Sequence, residues 1–136
     1  MNSMTNQPSG PSGMSPRDAA ILIVEDDVDL SFMLNLALQR AGAQAVVVHS
    51  AEDAWAAFSA DPDRFCLLLT DHDLPGENGA ALAMRVRASR PELPILMMTG
   101  YTLEAEKLVE PDTIDEWIAK PFRLEMLTTR VKDLVG

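Results

Sequence analysis

The sequence predicts an α/β domain: a doubly wound, parallel sheet of five strands in the order 2-1-3-4-5, with helices on both faces. Three observations lead there. Short apolar runs recur along the chain, each of strand length and without polar alternation, which marks strands buried on both faces. Segments with apolar residues at three- and four-residue spacing separate them, so consecutive strands are joined by helical, right-handed crossovers. The 136 residues are 47% hydrophobic and 24% charged, enough for one core without metal or disulfide staples and without room for a second.

Residues 1–18, MNSMTNQPSGPSGMSPRD, hold Ser, Pro, Gly and Asn with almost no apolar content. They cannot offset the entropy of being ordered, so a flexible tail is expected there and the folded domain over residues 19–136. Ala20–Val24 reads as the first strand. From Val28 to Ala41, residues Leu30, Met33, Leu34, Ala37, Leu38 and Ala41 share one helical face, and Gly42 is a natural C-terminal stop. Ala45–Val48 is the second strand, followed by a helix over Ala51–Ala60 with Trp55 and Phe58 on one side. Phe65–Leu69 is the third, followed by a helix over Gly79–Ser89 with Leu82 and Val86 inward; Pro62 and Pro91 lie just beyond these two helices. Pro94–Met98 is the fourth strand, Leu103–Val109 a short helix and Glu116–Ala119 the fifth strand. The last helix, Leu124–Leu134, turns Leu124, Leu127, Val131 and Leu134 to the core.

Eleven basic residues against twenty-one acidic ones leave a net charge of −10, which repels the phosphate backbones of DNA and RNA. No nucleic-acid partner is expected. The single cysteine, Cys66, sits in the apolar run Phe65–Leu69 and reads as a buried, inert thiol suited to a reducing compartment. No run approaches the ~20 apolar residues of a membrane span, and the N-terminus lacks the basic start and apolar stretch of an export signal. A cytoplasmic location without membrane contact is expected.

In open sheets of this kind ligands collect beyond the carboxyl ends of the strands, near the point where strand order reverses. The first strand ends in Glu25-Asp26-Asp27, the third in Thr70-Asp71-His72-Asp73, the fourth in Thr99-Gly100 and the fifth in Lys120-Pro121. Asp26 and Asp71, far apart in sequence, become neighbours only through the fold. Crowded carboxylates stay ionised at neutral pH only beside a cation. The all-oxygen set with no Cys or His cluster fits Mg²⁺, or Mn²⁺, and fits zinc poorly. A carboxylate can also attack phosphorus to give an acyl phosphate, chemistry that rests on positioning and charge neutralisation. The Thr99 hydroxyl can hydrogen-bond a phosphoryl oxygen, and the Lys120 ammonium supplies a point charge.

Each feature alone has a plainer explanation. Asp27 is as well read as the cap of the helix starting near Val28. Thr99 alone is a turn residue, Lys120 alone a surface lysine, and Asp71-His72-Asp73-Leu74-Pro75-Gly76 alone a turn. Their joint occurrence on successive strand ends is what carries the inference.

Over residues 20–135 the chain resembles the receiver domain of two-component response regulators, a flavodoxin-like fold. The matching motifs are Ile-Val-Glu-Asp-Asp at 23–27, Asp-His-Asp-Leu-Pro-Gly at 71–76, Met-Thr-Gly at 98–100 and Ala-Lys-Pro-Phe at 119–122. The resemblance implies that Asp71 accepts phosphate from the phosphohistidine of a histidine kinase or phosphotransfer protein. It implies that Asp26 binds Mg²⁺ through its carboxylate, Glu25 through water and Asp73 through its backbone carbonyl, alongside Asp71. Thr99 would be the switch hydroxyl and Trp117 the aromatic switch residue, although Trp117 reads equally as fixed packing. The Lys120–Pro121 bond is cis in many relatives, which would aim the lysine into the site.

Asp73 and Tyr101, two positions after Asp71 and Thr99, are expected to set how fast water hydrolyses the acyl phosphate. Equal phosphate lifetimes in Asp73→Asn, Tyr101→Ala and the unsubstituted chain would remove that expectation. His72 is expected to face solvent, being next to an inward-pointing Asp71. His49 is placed away from the acidic cluster.

Too few residues follow Pro121 for more than one helix, so a single-domain, chemotaxis-regulator-like switch, monomeric or weakly dimeric, is expected. Its output would pass to a protein target through the face around residues 101–135, by a shift between two states. A phosphate sink or kinase-associated receiver without its own output is an alternative. An aspartate-nucleophile phosphatase is a further one, since haloacid-dehalogenase-type enzymes also place an aspartate two residues after the nucleophile. Those enzymes carry the nucleophile on the first strand, whereas Asp71 follows the third. An autocatalysed switch rather than an enzyme is therefore expected.

Overall fold

The computed structural model describes residues 19–100, 109–110 and 112–136. The tail expected over residues 1–18, Tyr101, and the helix predicted over Leu103–Val109 except its last residue lie outside these. Among the described residues the chain runs β1 (Ala20–Val24), α1 (Val28–Arg40), β2 (Gln44–Val48), α2 (Ala51–Ala60), a 3₁₀ turn (Pro62–Arg64), β3 (Phe65–Asp71), α3 (Gly79–Ser89), β4 (Ile95–Thr99), β5 (Glu116–Ala119) and α4 (Leu124–Val135). The strands form one parallel sheet in the order β2-β1-β3-β4-β5.

Strand alternation divides the apolar residues between two layers. Leu22, Leu68 and Met97 meet Ala54 and Phe58 of α2 and Leu82 and Val86 of α3. Ile21, Ile23, Leu67, Leu69, Leu96 and Met98 meet Leu34 and Leu38 of α1 and Leu127 and Val131 of α4. Both faces of β1, β3 and β4 are covered, which is why these strands read as continuous apolar runs. No helix among the described residues is long and apolar enough to cross a membrane.

Among the described residues three helices open on side-chain caps: Asp27 accepts from Leu30 N, Ser50 from Asp53 N and Asn78 from Ala81 N. Gly42, at φ +95°, ends α1 in the left-handed region that favours glycine. At the end of the sheet where β4 and β5 begin, Arg87 donates to the carbonyls of Pro91, Leu93 and Thr113 and to Asp115 Oδ2. Asp115 Oδ2 also accepts from Ile95 N at 2.7 Å. That arginine ties the loop ahead of β5 to the start of β4.

Candidate functional site at the carboxyl edge of the sheet

Where β1 leaves the sheet, pairing continues for one residue: Glu25 N donates to Val48 O at 3.2 Å. Glu25 is thereby held at 1% exposure. Its Oε2 accepts from Asp27 N at 3.0 Å and its Oε1 from Lys120 Nζ at 3.0 Å. Asp71 is the last residue of β3, paired with Met98 and 3% exposed. Its Oδ2 accepts from Lys120 Nζ at 3.0 Å and its Oδ1 from Asp73 N at 3.2 Å. Lys120 follows β5, with its N–H on Thr99 O at 2.8 Å and a cis bond to Pro121. Thr99 ends β4 and is fully buried.

One carboxylate oxygen each from Glu25, Asp26 and Asp71 lies within 4.8 Å of the others, with Asp26 on the exposed side. Of the expected ligands, these three are brought together. The carboxylate of Asp73 is not among them: it is exposed and sits 3.0 Å from His72 Nδ1. Asp27 has its side chain on Leu30 N, so the capping explanation accounts for it. Trp117 stands apart from the acids, half-buried against the layer under α2 and α3.

The charges act on one another. Burial pushes the Glu25 carboxyl above its ordinary value, and the negative charge of Asp71 adds to this, against the opposing hydrogen bonds from Asp27 N–H and Lys120. Burial alone would lower the Lys120 ammonium; its hydrogen bonds to Glu25 and Asp71 outweigh that and hold it above its ordinary value. Three carboxylates and one ammonium, fully ionised, leave two uncompensated negative charges on an all-oxygen set. That donor set and charge fit a hard divalent cation.

Several further features of the site were not anticipated from sequence. Gly79 N donates to His72 O at 3.0 Å, and a Cβ on Gly79 would fall 2.0 Å from Asp71 O. Only glycine lets α3 begin this close to the end of β3. His49 Nδ1 is 3.0 Å from Glu25 O, so it touches the acidic loop from which it was expected to be remote; the β1–β2 pairing that brings it there has no local signal. His72 does not face solvent. Its side chain is 13% exposed, because the face opposite Asp71 is also covered in a doubly wound sheet.

A family model described as the response regulator receiver domain matches residues 21–132. The chain therefore belongs to the receiver-domain family of two-component response regulators. The transcriptional regulatory protein RprY of Bacteroides fragilis is 35% identical over 117 residues, covering 85% of this chain and 48% of that protein. The DNA-binding transcriptional regulator NtrC of Rhizobium meliloti is 36% identical over 112 residues, 80% of this chain and 22% of that one. The chain thus spans about half or less of the length of these curated relatives. A CheY-like response regulator receiver domain protein from Methanospirillum hungatei has the same fold, with a TM-score of 0.79 at 27% identity over 86% of this chain and 93% of that one.

Proposed function

We propose that this chain is a response-regulator receiver domain in which Asp71 takes a phosphoryl group from the phosphohistidine of a histidine kinase or phosphotransfer protein. The observation that supports this best is the meeting of Asp26, Glu25, Asp71 and Lys120 at one strand edge, with Lys120 Nζ 3.0 Å from both buried carboxylates. A carboxylate oxygen of Asp71 attacks phosphorus, and the P–O bond forms as the P–N bond to the donor breaks. Lys120, already on Asp71 Oδ2, is placed to balance charge gained by the phosphoryl oxygens. Asp26, Asp71 and Glu25, with the backbone carbonyl of Asp73, would hold Mg²⁺ or Mn²⁺, which when bound supplies neutralising charge for an incoming phosphoryl group.

The donor side fits a helical partner. Val28, Phe32, Met33 and Leu36 of α1 are 65%, 66%, 48% and 37% exposed. They form an apolar strip running from the acidic loop along the helix. Beside it a groove of about 460 Å³ is lined by Asp27, Leu30, Met33, Lys120 and Phe122, among others. Output passes by protein contact, in keeping with a net charge of −10, and the location is cytoplasmic. Acetyl phosphate with Mg²⁺ should label the chain stoichiometrically by intact mass and leave Asp71→Asn unlabelled. Equal labelling of both, or continued turnover of a small phosphate ester, would overturn this reading.

A further inference from the structure

Alternation along β3 sends Asp71 and His72 to opposite faces of the sheet. The register sets Thr70 opposite Met97 and Met97 opposite Trp117. His72 lies one alternation beyond Thr70 on the same face, diagonal to Trp117, and the two rings meet with centroids 6.4 Å apart at 44°. On its other side His72 Nδ1 is 3.0 Å from Asp73 Oδ1. A carboxylate has only acceptors to offer, so the ring nitrogen donates. Asp73 in turn donates its backbone N–H to Asp71 Oδ1 at 3.2 Å. An unbroken series of contacts thus runs from the Asp71 carboxylate through Asp73 to His72 and Trp117.

Two features leave the ring as the movable part of that series. The His72 main chain is pinned: its N–H donates to Met98 O at 2.8 Å, and its carbonyl accepts from Leu74 N at 3.2 Å and Gly79 N at 3.0 Å. Its Nε2, by contrast, is buried without a hydrogen-bond partner among the described residues. An unpartnered buried nitrogen adds nothing to hold the ring, so among the described residues the bond to Asp73 is the one hydrogen bond that fixes its orientation.

We propose that His72 is a positioning residue that transmits the state of the Asp71 carboxylate to Trp117. This rests on Asp71 being the acceptor. A group bound at Asp71 changes what Oδ1 offers to the Asp73 N–H, the Asp73 carboxylate shifts, and the His72 ring moves against Trp117. The two states at Asp71 then differ in the surroundings of an indole on β5, at the opposite side of the sheet from α1.

The test uses a Trp55→Phe background, which leaves Trp117 as the only tryptophan of the two in the chain. Beryllofluoride with Mg²⁺ is the probe; its occupancy is read by ¹⁹F NMR and the response by Trp117 emission. His72→Phe keeps a ring beside Trp117 and removes the donor to Asp73, whereas His72→Asn keeps a donor. Occupancy should be unchanged in both, within about twofold, while the emission change falls at least about threefold in His72→Phe and persists in His72→Asn. A full emission change in His72→Phe at equal occupancy overturns the proposal. So does an equal loss in both variants, since the hydrogen bond would not then be the link. Bound fluoride without any Trp117 response in the unsubstituted background overturns the coupling alone. Absence of bound fluoride overturns the reading of Asp71 and the coupling with it.

Discussion

Lys120 holds two buried carboxylates at once, with Glu25 and Asp71 side chains 1% and 4% exposed. Lys120→Met leaves both without a cation. Removing one partner of a fully buried pair costs about 3–5 kcal/mol; with the lysine side chain 26% exposed, a loss of about 1–3 kcal/mol at neutral pH is expected. The loss should depend on pH. The Glu25 carboxyl stands above its ordinary value of 4.5, so the folded state binds that proton more tightly than the unfolded state does. The stability this brings is complete below 4.5 and is lost as pH rises through the folded value. Lys120→Met removes two lowering influences and moves Glu25 further up, which deepens the loss. Urea melts in chelator should therefore show a deficit that is small near about pH 4 and grows toward about pH 7; a constant deficit would mean that Lys120 does not act through Glu25. From sequence, Asp71, Asp26 and Lys120 were legible as a group because each ends a strand. The contact between Lys120 and Glu25 was not, since it depends on how far β5 and β1 carry their last residues past the sheet.

At the scale of one element, the acidic run after β1 is divided by geometry. Asp27 caps α1 through Leu30 N at 3.1 Å, while Asp26 is the exposed member of the carboxylate cluster. Asp27→Ala should cost about 1 kcal/mol of stability and leave Mg²⁺ affinity within about twofold. Asp26→Ala should do the reverse, changing stability by less than about 0.5 kcal/mol and weakening Mg²⁺ at least about tenfold. Calorimetric titration and thermal melts of both variants check this; matching losses of affinity would place Asp27 in the site. Sequence left Asp27 evenly balanced because capping and metal binding use the same side chain at the same strand end. Helix α1 was legible in extent and less so in orientation. Met33, expected inward, is 48% exposed, while Ser31 is buried with its hydroxyl on Val28 O at 2.8 Å. Apolar residues occupy both sides of this helix, so periodicity alone could not tell the core strip of Leu34 and Leu38 from the outer strip of Val28, Phe32 and Leu36. β3 runs two residues beyond its apolar stretch, to Asp71, because pairing with β4 continues there.

At the scale of the molecule, a net charge of −10 repels itself on folding, and any added salt screens that repulsion. A specific cation site must be separated from this background. A ligand that binds only the folded chain stabilises it by about 2.7 kcal/mol at 100 times its Kd. For a domain of this size that is a rise of roughly 10 °C in Tm. NaCl should raise Tm gradually in every variant, whereas MgCl₂ at matched ionic strength should add a saturating increment that disappears in Asp26→Asn. That variant removes only one negative charge, so its response to NaCl should stay close to that of the unsubstituted chain. The two salts would give the same curve if the acids at the sheet edge merely attracted a diffuse cloud of cations. A saturating increment that survives in Asp26→Asn would put the cation elsewhere on the acidic surface, away from Glu25 and Asp71.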